Sequence, residues 1–414
     1  MDFKQLALDE EEFAIEARRH IHRHPELSGV EYETVSYIKG WLESFGIEYV
    51  DVPPGGILGF IGDESKGRTI LLRADMDALP ITESPCNLKF EKTVVSENPG
   101  VCHACGHDAH TAMLLASAKI LKKIEKSLPG RVLLFFERGE EATNNVIYLL
   151  KHMLSSGIKV DAAHAIHMAT PQSGMFMVEE GPRHAGNLTL GAVIHGKGGH
   201  GSRPDLSRNP LDAFVATYAA APEIRISSVS PYDQLSFSIC QVECGHSPNT
   251  IADDLSFLGT VRYYNEKAGR SFAEGFIKRL SAECELRGMT FEQRPLKFGL
   301  PVINNPALAR MIRANIVAQF GEDRLRQPRK PSMGSETFAF VGALYPSVMI
   351  GLGCGNEELG MTSGIHTPGF DIDEATLKAG VEETVSFAYR FLNSDEALPF
   401  EPWDKPIEEL WSRE

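Results

Sequence analysis

Residues 101–110 bring two thiols, three imidazoles and one carboxylate into one short segment. These side chains belong to Cys102, His103, Cys105, His107, Asp108 and His110. A buried cysteine is often only a small hydrophobic residue, but packing alone hardly explains this density of metal-binding groups. Cys105 and His107 lie on the turn before a predicted helix, where both can face one cavity. A thiolate can bridge two borderline metal ions and imidazole suits the same ions, so the segment predicts metal binding.

Three other segments offer partners for this cluster. Glu140 and Glu141 are adjacent, so their side chains point in different directions. One of them can bind a metal ion while the other stays available as a general base. His167 and His366 add two imidazoles from separate segments. Taken singly, an adjacent glutamate pair or a lone histidine is usually structural; taken together, these residues indicate one hydrolytic site.

The chemistry expected of such a site is hydrolysis assisted by two metal ions. A hydrolase working at neutral pH must make water nucleophilic and must stabilise the oxyanion that forms, and two neighbouring ions serve both needs. Asp75 and Asp108 are candidates for carboxylates that fix the tautomer of a ligating histidine. Thiolate and imidazole favour zinc, while the carboxylates leave manganese or cobalt open. We therefore expect two divalent metal ions per subunit.

Alternating strands and helices are predicted to position these residues. Short apolar runs at 69–72, 132–136 and 161–167 are predicted strands, and helical spacing separates them. This alternation predicts an α/β fold with a mainly parallel mixed sheet and helices on both faces. Ligands bind beyond the carboxyl ends of strands in such sheets. The residues that follow the three runs, among them Asp75 and Glu140, should therefore gather at one edge of the sheet.

The pattern changes near residue 186 to that of a smaller domain. Half-buried strands are expected at 188–194, 235–239, 255–263 and near 289–291, with helices at about 210–221 and 272–280. This β-α-β-β-α-β order predicts an inserted α+β domain. The α/β pattern then resumes with a strand at 347–350 and a last long helix at 373–392. We therefore predict a discontinuous metal-binding catalytic domain of residues 1–185 and 299–414, interrupted by an inserted domain of residues 186–298.

Composition narrows the class of protein. The net charge of −15 over 414 residues disfavours nucleic acid and anionic membranes as partners, since both attract basic surfaces. No apolar run approaches the roughly 18 residues of a membrane helix, and the first residues lack the pattern of a secretion signal. Seven cysteines in such a chain indicate free or metal-bound thiols. We expect a cytoplasmic protein acting on a small molecule.

Motifs along nearly the whole chain resemble the metal-dependent amidohydrolase branch of the aminoacylase/carboxypeptidase metallopeptidase family. That branch includes N-acyl-amino-acid amidohydrolases, hippurate hydrolases and auxin-conjugate hydrolases. The matching motifs stand at 19–26 (R-x-x-H-x-x-P-E), 73–80, 102–110, 196–202, 249 with 259–262, 333–338 and 366–370. Their number and their order strengthen the prediction of the fold.

The resemblance implies roles for individual residues of the larger domain. Glu140 corresponds to the general base of the family, and Asp75 to a supporting carboxylate near the base and the metals. The implied metal ligands are Cys105, His107, Glu141, His167 and His366.

The resemblance also implies that the inserted domain is a lid that forms a homodimer. His200 corresponds to a histidine that reaches the active site, usually of the partner subunit, to stabilise the oxyanion. Asn249 and Arg262 correspond to residues that bind the substrate, often its carboxylate, for which a guanidinium is well shaped. Without the resemblance, the glycine-rich turn at His200 is commonly just a turn, and Arg262 could simply face solvent.

The chain departs from the family motifs beside the predicted site. Glu137, Arg138 and Gly139 stand where F-Q-P-A-E-E has Gln, Pro and Ala, and Thr337 stands where S-E-D-F has Asp. The charges at 137 and 138 could form a salt bridge, bind substrate or serve a subunit contact, and we include Arg138 among the candidate substrate-binding residues. The remaining departures are Asp205, where a histidine often follows the proline, and His184, where an apolar residue is common.

These features predict a metal-dependent hydrolase that cleaves a C–N bond of a small carboxylate-bearing substrate, aromatic or an N-acylated amino acid. One alternative is a hydrolytic deaminase of an electron-poor aminobenzoate of the nitroanthranilate type, which would release ammonia with the same metals and base. A second is a dipeptidase, although no acidic residue can be assigned to a free amino group. A non-catalytic binding protein ranks below these because Glu140 and the predicted ligands are all retained.

Overall fold

A computed structural model describes residues 1–326 and 330–411 of the chain. The chain forms two compact units. The larger unit comprises Met1–Arg183, Ile303–Lys330 and Thr337–Asp404, and the smaller unit comprises His184–Val302, Pro331–Glu336 and the segment from Lys405 onward. The residues proposed above as metal ligands and as general base all belong to the larger unit, whereas His200, Asn249 and Arg262 belong to the smaller one.

The helices and strands follow one another in three stretches. Up to residue 184 they are α1 (Phe3–Asp9), α2 (Glu11–Arg23), α3 (Tyr32–Ser44), β1 (Glu48–Val52), β2 (Gly56–Gly62), β3 (Thr69–Asp75), α4 (His107–Lys123), β4 (Arg131–Glu137), α5 (Val146–Ser155), β5 (Ala162–Gln172), β6 (Phe176–Met177) and β7 (Gly181–His184). The next are β8 (Gly186–His195), β9 (Gly199–His200), α6 (Pro210–Ala219), α7 (Ala221–Ser228), β10 (Leu235–Cys244), β11 (Thr250–Ile251), β12 (Asp254–Tyr263), α8 (Glu266–Leu286), β13 (Thr290–Gln293), β14 (Lys297–Phe298) and β15 (Val302–Asn304). The last are α9 (Pro306–Phe320), α10 (Phe338–Leu344), β16 (Ser347–Gly355), α11 (Leu377–Leu392) and α12 (Glu408–Trp411).

The larger unit is built on a seven-stranded sheet of order β1-β2-β4-β3-β5-β16-β6. Its four central strands, β4, β3, β5 and β16, run parallel, and each outer strand pairs antiparallel with its neighbour. Every residue of β3, β4 and β16 is buried, as expected for parallel strands covered on both faces. Helices α4 and α11 contact each other and β3, while α5 and α10 contact each other and other strands of the sheet. The mainly parallel α/β prediction is confirmed.

The parallel arrangement brings the ends of distant segments together. Asp75, the last residue of β3, is paired in register with Glu137, the last residue of β4. On the other side of the sheet centre, His167 in β5 is paired with Gly351 in β16. The carboxyl ends of β3 and β4 and the middle of β5 therefore supply side chains to one region, and α4 begins there with His107.

The smaller unit is an α+β domain with a sheet of order β10-β12-β8-β13. Its strands and helices follow the predicted β-α-β-β-α-β order. A separate core of buried side chains, including Phe257, Phe272 and Phe276, lies between the sheet and its helices. The predicted helix at 210–221 corresponds to α6, and a second helix that was not predicted, α7, follows it directly. Pro222 lies in the first turn of α7 and has no N–H to continue the hydrogen bonding of α6.

No helix in the described part of the chain is long and apolar enough to cross a lipid bilayer. Three strands of the large sheet, β1, β2 and β6, were not predicted from the sequence. No residue of β1 is buried, so it lacks the apolar run by which the central strands were predicted. β2 contains three glycines among seven residues, GILGFIG, a composition that weakens any strand prediction. The third, β6, has only two residues and carries no recognisable period.

Candidate metal centre

Two backbone conformations present the candidate ligands to a common space. Gly106 adopts φ +92°, and a Cβ atom there would lie 2.8 Å from Cβ of Met168. A glycine is therefore required between Cys105 and His107, and the turn it makes directs both side chains to the same region. His366 is one of the non-glycine residues with positive φ, at 60°, and its N–H donates to the carbonyl of Ala104 over 2.7 Å. Such a conformation costs on the order of 1–2 kcal/mol and is held by its surroundings.

The predicted ligand atoms lie close together. Among the described residues, four groups of three side chains place their ligand atoms within 4.8 Å of one another; they are Cys105–His107–His167, Cys105–Glu141–His366, His107–Glu140–Glu141 and Asp75–His107–His110. Cys105 Sγ lies 3.7 Å from His167 Nε2 and 3.3 Å from His366 Nε2. Nitrogen and sulfur ligands of one tetrahedral ion are roughly 3.3–3.7 Å apart, given bonds of about 2.0–2.3 Å. These separations therefore fit side chains that share an ion.

Hydrogen bonds fix the tautomers of two candidate histidines in the form that a metal requires. His167 Nδ1 lies 2.7 Å from the carbonyl oxygen of Met168, which can only accept. His107 Nδ1 lies 3.1 Å from Oδ1 of Asp77. In both rings the Nδ1 atom therefore carries a proton, and in the neutral ring the lone pair is left on Nε2. His107 Nε2 is buried and makes no hydrogen bond within the described residues.

His110 differs from these two histidines although it belongs to one of the four groups. Its Nδ1 lies 2.6 Å from Oδ1 of Asp75, and its Nε2 accepts the backbone N–H of Met168 over 2.8 Å. Both ring nitrogens are therefore engaged inside the protein. We interpret His110 as a structural residue that joins Asp75 at the end of β3 to the backbone of β5, and not as a ligand.

Glu140 and Glu141 follow β4 on a tight turn and face different partners. Glu141 Oε1 lies 3.2 Å from His366 Nε2 and 3.9 Å from His107 Nε2. One carboxylate oxygen of Glu140 accepts the backbone N–H of Thr337 over 3.1 Å. Both glutamates are partly buried. The turn depends on Gly139 at φ +76°, where a Cβ atom would meet the hydroxyl oxygen of Thr143 at 1.9 Å.

The shifts in pKa around the candidate ligands indicate an excess of negative charge there. Burial alone would raise the pKa of Asp75, but Arg73, His107 and His110 outweigh it and hold that pKa well below its usual range. Burial would lower the pKa of His107, but Asp75, Cys105 and Asp77 raise it well above its usual value. Burial raises the pKa of the Cys105 thiol. A cation bound there would reverse this preference, because a coordinating thiol is deprotonated.

Asp77 is a functional candidate that the sequence did not single out. Its Oδ1 faces His107 Nδ1, and its Oδ2 accepts the backbone N–H of Glu141 over 2.8 Å. It thus orients two candidate ligands at once. The signal was present, since Asp77 belongs to the 73–80 motif, but Asp75 took the whole role in the prediction. Asp108, also expected to orient a ligand, instead accepts from Arg18 and contacts His22.

The two charged departures before Glu140 are engaged inside the larger unit. Arg138 Nε donates to Oε2 of Glu31 and its Nη2 to the carbonyl of Gly29, each over 3.0 Å. The guanidinium also lies over the ring of Tyr32, 4.9 Å from its centre. Glu137 is fully buried and accepts from Arg73 Nε over 2.7 Å. Of the three uses considered for these charges, the salt bridge is the one whose partners lie within this unit.

Three predicted residues lie in the smaller unit. His200 is exposed in β9, and its Nδ1 accepts the backbone N–H of Ser202 over 3.1 Å, which leaves the proton of the neutral ring on Nε2. Arg262 is half-buried in β12 and donates from Nη1 to the hydroxyl of Ser335 over 3.0 Å. Asn249 is exposed, and its side-chain oxygen accepts from the hydroxyl of Ser247.

Comparison with known proteins identifies the family. Residues 71–390 match the profile of peptidase family M20/M25/M40. A thermostable carboxypeptidase of Saccharolobus solfataricus is 32% identical over 92% of this chain and 96% of its own length. The N-acetylcysteine deacetylase of Bacillus subtilis is 32% identical over 88% of this chain and 92% of its own.

Among solved structures, a dinuclear metal-binding peptidase of the M20 family from Bacillus subtilis matches with a TM-score of 0.75. Its sequence is 28% identical, and the match covers 92% of this chain and 98% of that one. The family profile spans well over half of the chain, and these relatives align with almost all of it. The chain therefore belongs to peptidase family M20/M25/M40 and is a hydrolase of the amidohydrolase branch of that family.

Proposed function

We propose that the chain hydrolyses the amide bond of N-acylated amino acids or related amino-acid conjugates at a centre of two divalent metal ions. One observation carries the proposal: the side chains of Cys105, His107, His167, Glu141 and His366 meet in groups with ligand spacing. Two relatives are named for removing an acetyl group from cysteine and for carboxypeptidase activity. Both reactions cleave an amide next to a carboxylate-bearing residue.

Cys105, His107, His167, Glu141 and His366 would hold the two ions, and Cys105 would be common to both sets of ligands. Cys105 belongs to two ligand groups, one with His107 and His167 and one with Glu141 and His366. Soft thiolate and imidazole favour zinc, and the carboxylate leaves manganese or cobalt open. When bound, the two ions would acidify a water molecule and polarise the scissile carbonyl group.

Glu140 is the proposed general base. It follows Glu141 on the same turn and reaches the same region, and the N–H of Thr337 orients one of its oxygens. In this role it takes the proton from the attacking water and passes it to the nitrogen of the leaving amino acid. Asp75 supports the site by orienting His110 and by facing His107 across 3.5 Å.

The smaller unit is proposed to supply substrate recognition. The proton on Nε2 of His200 is available to donate to a developing oxyanion. Arg262 and Asn249 offer N–H donors that suit a substrate carboxylate. We propose that this unit also forms a homodimer, so that His200 can serve the partner subunit. Arg138 is omitted from the substrate contacts proposed here because its guanidinium is held by Glu31 and Gly29.

The adjacent glutamates provide the decisive experiment. Glu140→Gln is expected to retain bound metal but to lower kcat by about 10²–10⁴-fold on N-acetylated and N-benzoylated amino acids, since it removes the base. Glu141→Gln, one residue away and equal in size and charge change, is expected to lose metal. Retained activity in Glu140→Gln would refute the base.

The substrate class is tested on the wild-type protein with the same preparation. Hydrolysis of N-acyl amino acids with no release of ammonia from a nitroanthranilate-type amine is the expected result. Ammonia release without acyl hydrolysis would instead establish the deaminase alternative, and cleavage restricted to free dipeptides would establish the dipeptidase.

A further inference from the structure

A buried guanidinium lies directly behind the proposed base and its supporting carboxylate. Arg73 in β3 is 4% exposed. Its Nη1 donates to Asp75 and its Nε to Glu137, each over 2.7 Å, and its Nη2 donates to the hydroxyl of Thr337 over 3.1 Å. These three partners are themselves buried. Charged hydrogen bonds of this kind are strong and directional where water is excluded.

Two of these partners reach the candidate site on their other side. Asp75 contacts the ring of His110 over 2.6 Å and faces His107 across 3.5 Å. Thr337 donates its backbone N–H to Glu140. Arg73 therefore connects Asp75 at the end of β3 with Thr337, the residue that orients the proposed base.

The negative charge of Glu137 keeps this arrangement balanced. Asp75 contacts Arg73 and also two imidazoles. A second carboxylate beside Arg73 means that Asp75 does not have to balance the charge of the guanidinium alone. Glu137 supplies that carboxylate and also accepts the hydroxyl of Thr337. If the side chain at position 137 were neutral, Arg73 would attract Asp75 more strongly. Thr337 would also lose its hydrogen bond to a carboxylate and would be less well oriented.

Positions 137 and 337 meet each other across the same guanidinium. Their side chains form a hydrogen bond, and both contact Arg73. A carboxylate at position 337 would therefore also lie against Arg73. Both positions depart from the family motifs, and the structure shows that they are neighbours although 200 residues separate them along the chain.

We propose that Arg73, Glu137 and Thr337 are positioning residues for Glu140 and Asp75, and that the carboxylate they require can be moved from position 137 to position 337. This inference rests on the proposed hydrolytic function for its kinetic test. It assigns Glu137 to the proper placement of the catalytic groups, and not to contact with substrate.

The test is an exchange of charge between the two positions. Glu137→Gln, Thr337→Asp and the double variant are compared with the wild-type protein and with Glu358→Gln, a control at an exposed turn position. Glu137→Gln is expected to lower kcat by about 10–100-fold with KM and metal content changed less than twofold, as for other residues that orient ligands. Thr337→Asp should lower kcat by a similar factor, because it places a second carboxylate in contact with that of Glu137. The double variant should recover kcat to within about threefold of wild type, and the control should match wild type.

Three outcomes would overturn the inference. Losses in kcat that multiply in the double variant would show that the carboxylate cannot be moved. Unchanged kcat with a lower melting temperature in Glu137→Gln would reduce the cluster to a purely structural role. Loss of metal in Glu137→Gln would assign the residue to the metal centre instead.

Failure of the proposed function gives a different result. If the wild-type protein hydrolyses no N-acyl amino acid, the kinetic arm is lost, but the melting temperatures of the same variants still test the exchange. Destabilisation that is relieved in the double variant would support the movable charge, and additive destabilisation would refute it.

Discussion

Replacement of Cys105 by alanine tests the two-metal centre directly. Its sulfur belongs to two candidate ligand groups that have no other member in common, whereas His167 and His366 each belong to one. We therefore expect the wild-type protein to hold two ions per chain and Cys105→Ala to hold none. His167→Ala and His366→Ala should each lose one ion. The number of metal ions expected in each variant thus follows from how many ligand groups its altered residue belongs to.

The expected effect on stability follows from binding linkage. A ligand present at a hundred times its dissociation constant stabilises the folded protein by about 2.7 kcal/mol per site. Two such sites would contribute about 5 kcal/mol, and a chelator should lower the melting temperature of the wild-type protein by roughly 10 °C. The melting temperature of Cys105→Ala should not respond to the chelator, because there is no bound metal to remove.

The chain offers a matched control in Cys102. It is buried like Cys105 and three residues away, but it belongs to none of the candidate ligand groups. Burial raises the pKa of its thiol to about 12, so it remains a neutral, hydrophobic side chain. Metal content is measured by elemental analysis after dialysis against metal-free buffer. Two ions per chain in Cys105→Ala, or an equal loss in Cys102→Ala, would refute the sharing of sulfur between two ions.

Two further predictions concern stability. Burial raises the pKa of Glu382 to about 7 from its ordinary 4.5, so between these pH values the folded protein holds a proton that the unfolded chain releases. The contribution of this carboxyl group to stability is then largest below about pH 4.5 and is lost, by at most about 3 kcal/mol, as the pH rises through 7. In Glu382→Gln, urea unfolding between pH 5 and pH 8 should lack this decline, and an identical decline in both proteins would contradict the assignment. Arg138→Met should destabilise the protein by about 3 kcal/mol, since it leaves the buried Glu31 carboxylate without its guanidinium; a loss below about 0.5 kcal/mol would show that this pair contributes little.

The strands that carry the site were predictable because they are buried on both faces. β3 and β4 contain continuous apolar runs, and β5 contains one that is interrupted by His164. The convergence of Asp75 and Glu140 then follows from parallel pairing, since parallel strands end at the same edge of a sheet. His167 was also expected at a strand end, but β5 continues past it to Gln172, so His167 reaches the site from the middle of its strand. By contrast, β2 is rich in glycine, and it owes its place to pairing with β1 and β4, which a single segment does not reveal.

The partners of the buried charges could not be predicted from the sequence. Glu31 and Arg138 are 107 residues apart, and nothing in either segment points to the other. The same holds for Glu137 and Thr337, which lie in two separate motifs 200 residues apart. Hydrogen bonds also settled what composition left open, because His107, His110 and His167 read alike in the sequence. The positions of Asp75, Asp77 and two backbone groups of Met168 distinguish a ligand tautomer from a structural histidine.

The positions of the arginines distinguish the candidate metal ligands from the carboxylates that surround them. Several carboxylates near the centre have a cation within the protein: Asp75 and Glu137 contact Arg73, Asp108 contacts Arg18, and Glu31 contacts Arg138. Among the described residues, the ion-pair partners found for Glu141 are the imidazoles of His107 and His366, and Cys105 lies near the same rings. Since a buried anion is costly without a partner, the side chains that lack a fixed cation are the ones on which a divalent ion would act. The charge of Glu137 is balanced by Arg73, and that of Arg138 by Glu31. These two residues therefore change the surroundings of the proposed base without adding charge to the ligand groups.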